Sequence, residues 1–405
     1  MMHHQQTTTT GRHMLNPFHR VLVIPLHGSK DLSPPLNHIL ADEQVLFVLI
    51  HHRGRNSAPS TPRPLQLEST QMENPELQHG NGGTVFITGA TGQVGGAITR
   101  ALLDQGRTVK ILVRNPSTLQ GFQDAEVVKG DLSNPQVLID AIKGCVQVIH
   151  IAGAISYDPK DRDHLYATNV VGTQNMLDAA AANKVERFVY TSSIATIGHV
   201  PFGTVGNESS PYNWEKANNP YFDTKKEAED RVLAEQRIPC ITLNPGIVFG
   251  PGDLGHGAIQ MMHKSASGAV TAAPPGATTI VSLQDAVAGH LLALQHGRPG
   301  EKYILGSETM TLRTLFDQIA EVVGVEPPTR TIGPTVFQAA VQLSNWWSQL
   351  RGTSPKVRPN TAAILVQNRQ YSWEKASREL GYTPTAAASS LTACWEGGGR
   401  TSEPR

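Results

Sequence analysis

From residue 84 onward, short β-branched and apolar runs alternate with longer stretches whose apolar positions recur every three to four residues. That alternation predicts a parallel sheet covered by helices on both faces. Strands are expected at 84–88, 108–113, 126–129, 147–151, 187–191 and 240–243, and helices at 93–105, from 135, 164–183 and 221–236. Each crossover is short and should be right-handed. Beyond residue 244 the alternation weakens into Gly/Pro-rich connections, with helices at 283–296, 311–323 and 335–350. The last places Val336, Ala340, Leu343, Trp347 and Leu350 on one face, with Trp346 alongside. Such a stripe reads as a core face, with an apolar substrate pocket or a membrane surface as alternative contacts. Its Gln, Ser and Asn positions exclude a spanning helix.

Residues 1–71 lack this periodicity, and they carry eight of the 16 His, seven Pro and a Thr run. They lack the ordered parts of a secretory signal, and the His-rich, Pro-interrupted stretches make a poor amphipathic transit peptide. The expected organisation is a disordered or over-extended leader over 1–83, with the native start at Met72. A dinucleotide-binding domain over 84–244 follows, then a smaller substrate-binding lobe over 245–390 that returns to the first core, and a flexible tail over 391–405. The fold class is therefore α/β, a Rossmann-type doubly wound parallel sheet with a C-terminal lobe.

Composition narrows the function. The 405 residues carry 34 basic and 34 acidic side chains, so no electrostatic bias points to nucleic acid. No apolar run approaches the length of a membrane span. Cys145, Cys240 and Cys394 stand far apart without metal-ligand spacing, so neither a disulfide framework nor a zinc site is expected, and a reducing cytoplasm is the simplest compartment.

The turn after the first strand reads Thr88-Gly89-Ala90-Thr91-Gly92-Gln93-Val94-Gly95. Glycines there permit a tight turn and a close backbone approach to a pyrophosphate, and the following helix start adds partial positive charge. The spacing is GxxGxxG, so its placement in a βαβ unit carries the argument. At the end of the second strand, where an NAD site usually offers an acidic side chain to the ribose, Arg114 stands. A guanidinium can fork onto a 2′-phosphate, which favours NADP over NAD. Asp131-Leu132 and Ala152-Gly153 fall at the ends of the next strands, where an open α/β sheet binds ligands.

Tyr221 and Lys225 lie four residues apart at a helix start, hence on one face. A neighbouring ammonium would stabilise the phenolate, letting Tyr221 exchange a proton near neutral pH. Ser193, at the end of the fifth strand, can hydrogen-bond a substrate oxygen at the same sheet edge, while Ser192 is the candidate to cap the following turn. No GxSxG elbow accompanies the histidines, and His150 reads as a core or edge residue, so a hydrolase is disfavoured.

These segments, with GDL at 130–132, NVVGT at 169–173, YTSSIATIG at 190–198, YFDTK at 221–225 and LNPGIVFGPGD at 243–253, resemble the extended short-chain dehydrogenase/reductase superfamily (the NAD-dependent epimerase/dehydratase family). Within it the chain is most similar to the dihydroflavonol reductase and 3β-hydroxysteroid dehydrogenase branch. Residues 290–306 and 376–384 look especially like hopanoid-associated sugar epimerases. The resemblance implies a catalytic Ser193, Tyr221 and Lys225, with hydride passing between nicotinamide and a carbon centre. It further implies Asn169 in a supporting network, Pro245-Gly246 beside the nicotinamide, and a homodimer. Asn169 reads equally as a helix-bend residue. Two departures stand out: SLQD at 282–285 replaces the frequent HVDD, and the Asp-Glu pair of sugar-nucleotide dehydratases is missing. The expected activity is reduction of a ketone, or oxidation of a secondary alcohol, in a small, apolar or lipid-derived molecule. A sugar-nucleotide epimerase is the alternative, and a non-catalytic dinucleotide sensor a third reading.

Overall fold

The computed structural model describes residues 83–399 except 117–120, 253–256, 354, 356 and 387. Of the leader expected over 1–83, residues 1–82, with the expected start at Met72, lie outside the described residues, as do Asp253 of the last motif and residues 400–405.

Six strands arise where expected, within one or two residues: β1 (Thr84–Thr88), β2 (Val109–Val113), β3 (Glu126–Lys129), β4 (Cys145–His150), β5 (Arg187–Thr191) and β6 (Cys240–Pro245). After β7 (Ile247–Phe249), β8 (Ala272–Ala273) and β9 (Ala277–Ser282) comes β10 (Lys302–Leu305), a seventh strand of the main sheet. The order across this sheet is β10-β6-β5-β4-β1-β2-β3, and every pairing is parallel. The order reverses beside β1, where β2 and β4 run to opposite sides, and ligands of doubly wound sheets bind at that switch point.

Strands buried on both faces place alternate side chains in two cores. Val85 and Ile87 of β1 face one core and Phe86 the other. The first is covered by α1 (Gln93–Asp104), and the second by α2 (Pro135–Ile142). A short α3 (Arg162–Leu165) precedes α4 (Gly172–Ala182) and α5 (Pro220–Ala234), which also cover the second core. The helix expected over 164–183 is thus interrupted, with a π-helical segment (Tyr166–Val171) carrying Asn169. A π segment displaces side chains from the regular helical spiral, and such segments recur at functional sites.

In the lobe, α6 (Ala258–Ala266) precedes α7 (Leu283–His296), which belongs to the first core, as β10 does, so chain from beyond residue 244 completes the main sheet. β11 (Glu308–Thr311) pairs with β9, and α8 (Leu312–Val323) packs with α6 on a third apolar cluster that includes Ile259, Met262, Leu315 and Ile319. A β12 bridge strand (Arg330–Thr331), α9 (Pro334–Leu350), α10 (Pro359–Leu365), β13 (Asn368–Arg369), α11 (Glu374–Leu380) and α12 (Ala388–Cys394) follow.

Two expectations fail here. The apolar stripe of α9 does not enter a core: Val336, Leu343, Trp346, Trp347 and Leu350 are exposed, and Val341, on another face, is the buried residue of that helix. The tail is not a simple coil from 391, because Leu391 and Cys394 of α12 are buried in the third cluster. An apolar i, i+3 pair needs only a matching apolar surface, which α6 and α8 provide for α12 and no described element provides for α9.

Candidate functional site

The glycine turn occupies the C-terminal end of β1. Gly89 adopts φ +80, and a Cβ there would lie 2.8 Å from the backbone nitrogen of Ala152. The turn thus needs glycine both for its left-handed conformation and for contact with the end of β4. A Cβ on Gly95 would collide with the Gly89 carbonyl, so α1 also needs glycine to start against its own turn. Gly92 is the N-cap of α1 and offers no side-chain acceptor, which leaves the first-turn N–H groups directed at the crevice. Thr91 and Gly92 are exposed, while Val94 packs on the first core. Gln93 turns aside, its Nε2 donating to the Gly250 carbonyl at 2.7 Å and tying the turn to the segment after β7.

Arg114 follows β2 directly and is exposed. Its charge lies near Asp131, whose carboxyl is held below its ordinary value first by hydrogen bonds from Ser133 and also by Arg114. Leu132 is buried. At the end of β4, Asn169 clamps the chain: its Oδ1 accepts from Ala154 N at 2.8 Å, and its Nδ2 donates to Ala154 O at 3.0 Å and to Thr224 Oγ1 at 3.2 Å. A Cβ on the intervening Gly153 would press the Asn169 amide at 3.1 Å. Pro245 ends β6, and Gly246, buried, donates its N–H to Leu305 O. An uncapped helix start, a turn with no room for side chains, and an Arg/Asp pair on the adjacent strand ends suit a dinucleotide. Gly89, Thr91, Gly92, Gln93, Val94 and Gly95 would meet its phosphates through backbone N–H groups and the surfaces beside them.

The hydroxyl end is built from β5, α5 and β6. Asn219 caps α5, its Oδ1 accepting from Tyr221 N and Phe222 N at 3.1 and 3.2 Å, and Pro220 presets the first turn. That fixes Tyr221 and Lys225 on one face. Ser193, not Ser192, caps the following 3-10 turn, its Oγ accepting from Ala195 N at 3.1 Å, while the buried Ser192 Oγ has no partner among the described residues. The Tyr221 ring stands edge-on to Tyr157, with centroids 5.9 Å apart.

The expected stabilisation of a Tyr221 phenolate by Lys225 is not what the geometry delivers. Lys225 Nζ donates to Tyr190 OH at 2.8 Å and to the Thr191 carbonyl at 2.7 Å. Burial lowers its pKa from 10.5 to about 7, against an opposing pull from Glu229. Burial raises the Tyr221 hydroxyl above its ordinary value, Tyr157 adds to the rise, and a hydrogen bond with Ser193 works the other way. Tyr221 is therefore held as a phenol, a proton donor, at neutral pH.

Beneath these residues lies a buried network that the motifs did not disclose. Glu229, one turn beyond Lys225, accepts from Thr196 Oγ1 at 2.7 Å and Asn244 Nδ2 at 2.6 Å, and pairs with Lys302 at 3.3 Å. Asn244 Nδ2 also donates to the Ser193 carbonyl at 3.1 Å, and Thr196 Oγ1 lies 2.9 Å from that carbonyl. The carboxylate thus anchors the backbone of Ser193 to the helix that carries Tyr221 and Lys225. Its i, i+4 relation to Lys225 was the available sequence signal. His150 is a core residue, bridging Thr88 Oγ1 at 2.7 Å and Thr173 Oγ1 at 3.0 Å, and burial holds it neutral with a pKa of about 3. Within SLQD, Ser282 caps α7 and buried Asp285 accepts from Ser307 and Thr385, so both are occupied structurally. Among the described residues no group of His, Cys, Asp and Glu could hold a metal ion.

Comparisons with known proteins agree with this architecture. The model of the NAD dependent epimerase/dehydratase family matches residues 85–306. A putative dihydroflavonol 4-reductase of Synechocystis is 32% identical over 324 residues, 76% of this chain and 92% of the relative. A 3 beta-hydroxysteroid dehydrogenase/Delta 5-->4-isomerase of Mycobacterium tuberculosis is 28% identical over 341 residues, covering 77% and 89%. The crystal structure of gox2253 is 33% identical and superposes with a TM-score of 0.69, covering 78% of this chain and 97% of that one.

Proposed function

Because the chain belongs to the NAD dependent epimerase/dehydratase family, whose relatives here include dehydrogenases and reductases, we propose that it reduces a ketone to a secondary alcohol, or runs the reverse, on a fairly apolar molecule. The observation that carries this reading is the placement of Tyr221: the Asn219-capped start of α5 sets its phenol beside the Ser193 hydroxyl, where it can deliver a proton to a carbonyl oxygen. The reductase and hydroxysteroid dehydrogenase names of the relatives support the same choice.

The bound nicotinamide supplies or takes up the hydride. The chain's own residues handle the proton and the geometry. Ser193 orients the substrate oxygen through its hydroxyl, whose position is set by the capped turn and by the Glu229 network behind it. Tyr221 gives up its phenolic proton to that oxygen in reduction and receives it in oxidation. Lys225, whose pKa lies near 7 and whose Nζ donates to Tyr190 OH and to the Thr191 carbonyl, changes protonation close to neutral pH and serves as the site's proton reserve. Pro245 and Gly246 would border the nicotinamide, and Ala152 and Gly153 would bound the crevice at the end of β4. Arg114 would favour NADP over NAD by pairing with the 2′-phosphate.

Release and titration of the dinucleotide test both parts. The purified full chain is denatured, the released dinucleotide identified, and the native protein titrated with NADPH and NADH. Reversible, tighter NADPH binding by an otherwise empty protein is expected, with Arg114→Ala losing about tenfold of that preference. Stoichiometric trapped NAD would favour a sugar-nucleotide epimerase, which returns the same hydride and gains from never releasing its cofactor.

A further inference from the structure

The helix α9 (Pro334–Leu350) is amphipathic in the wrong sense for an ordinary surface helix. Val336, Leu343, Trp346, Trp347 and Leu350 are 64, 65, 54, 49 and 63% exposed, whereas Val341 is 7% exposed. At 100° per residue, positions 336, 340, 343, 347 and 350 fall within an arc of about 80°, and 341 lies more than 90° from that arc. The inward side borders a groove of about 690 Å³ and presents Gln338, Gln342 and Asn345 to it. The inward side is thus mixed, with Val341 buried among Gln338, Gln342 and Asn345, while the more continuously apolar side faces water.

Charge indicates the occupant. Residues 327–373 contain five basic side chains and no Asp or Glu; Arg358 is paired with Asp158 and Arg369 is buried, so among the described residues Arg330 and Arg351 are the cations left at the surface of this segment. Arg330 and Arg351 are exposed near the two ends of α9, and the Arg351 guanidinium lies 4.5 Å from the Trp347 ring centroid. The helix itself carries no charged residue. An uncharged helix about 26 Å long, with two Trp on its outer side and cations at its ends, matches a helix lying in the plane of a bilayer whose headgroups are anionic. A second copy of this chain is a poorer match, since a two-fold contact through α9 would set one cationic segment against its twin.

We propose that the outward face of α9 docks this protein on an anionic bilayer surface. Docking would bring the substrate side of the site near the membrane. α10 (Pro359–Leu365) shares the groove with α9, Asn360 Nδ2 donates to the Tyr157 carbonyl at 2.8 Å, and Arg358 pairs with Asp158 at 2.7 Å; Tyr157 stands against Tyr221. The docking itself is independent of which reaction the site performs.

The test is co-sedimentation of the full chain with phosphatidylcholine vesicles, alone or with roughly 30% phosphatidylglycerol, together with Trp emission and sedimentation velocity in the absence of lipid. Binding to the anionic vesicles with a blue-shifted emission is expected, about tenfold stronger than to neutral ones. The Leu343→Ser/Trp347→Ser variant should lose about tenfold of that binding while keeping its melting temperature and dinucleotide affinity. Arg351→Glu should lose the preference for anionic lipid. A full chain that stays in the supernatant with both vesicles overturns the proposal. So does binding that the double variant leaves intact, which would place the contact elsewhere in the chain. A lipid-free dimer that the double variant dissolves would identify a second copy as the occupant and overturn it equally.

Discussion

Two helices of this protein treat their side chains in opposite ways. α5 is rich in charged residues, yet it buries Lys225 and Glu229, each with partners from β5, β6 or β10. α9 has no charge at all, yet it leaves its apolar stripe in solvent. Burying a charge is unfavourable unless hydrogen bonds and an opposite charge offset it, so α5 is specified by its surroundings residue by residue. An exposed apolar stripe is neutral for folding and gains only when something covers it. The difference separates a helix shaped for chemistry inside the molecule from one shaped for contact outside it.

The sharpest way to break the comparison is at the first turn of α5. Tyr221→Phe removes the phenolic proton and little else, because the ring keeps its packing against Tyr157 and Phe222. Turnover should fall by about 10²–10⁴-fold, the range for losing a general acid, with dinucleotide affinity unchanged in a titration. Retained turnover would remove Tyr221 from the mechanism.

One turn further on, Glu229→Gln keeps the shape but not the charge. Lys225 loses the neighbour that opposes its desolvation, and Lys302 loses its ion-pair partner. We expect roughly tenfold lower turnover with little change in substrate KM, since Glu229 reaches the substrate side only indirectly, through Lys225 and through Thr196 and Asn244, which hold Ser193. The alkaline limb of the pH–rate profile should also move to lower pH, because Lys225 then deprotonates more readily. A purely structural role would lower the melting temperature without moving that limb.

Lys225 itself links chemistry to stability. Its folded pKa, about 7, lies below the ordinary 10.5, so between these values the unfolded chain holds a proton that the folded chain does not. Folding stability from this group therefore rises with pH from about 7 toward 10. Lys225→Met should flatten that rise in denaturant titrations across the window. An identical pH dependence in both proteins would mean that Lys225 is not desolvated as its contacts with Tyr190 and Thr191 indicate.

These two helices also mark how far the sequence could be read. The glycine turn, Ser193 and the Tyr221/Lys225 spacing were legible because each is local: a turn that excludes side chains, a strand end, one face of one helix. Five of the six strands were legible because buried parallel strands read as mostly apolar runs, while the exposed edge strand β3 was legible from its β-branched Val127 and Val128. Tyr190, Thr196 and Asn244 were not, since their roles exist only where β5, β6 and α5 converge. The seventh strand, β10, was missed because four residues, Lys302–Leu305, give too short a pattern among Gly and Pro. For α9 the period was read correctly and the environment wrongly. Periodicity tells which residues share a face, but what that face meets depends on elements distant in sequence.

The smallest expected effect is therefore the most telling about α9. Val341→Ala deletes two methyl groups from its inward side and should cost about 1–2 kcal/mol by cavity formation. Leu343→Ser deletes more apolar surface, two residues along the same helix, but from a side chain already in water, and should change stability by no more than about 0.5 kcal/mol. Equilibrium denaturation of the two variants in dilute, lipid-free solution compares them directly. Equal losses would mean that the stripe is covered within the folded protein, and α9 would then resemble α5 in being specified from inside. The inverse ranking, Leu343→Ser costing more than Val341→Ala, would put the stripe in a core and remove the basis for an outward-facing contact. A near-zero cost for Leu343→Ser leaves its apolar surface without a role in the folded chain, so whatever keeps that surface apolar must act from outside it.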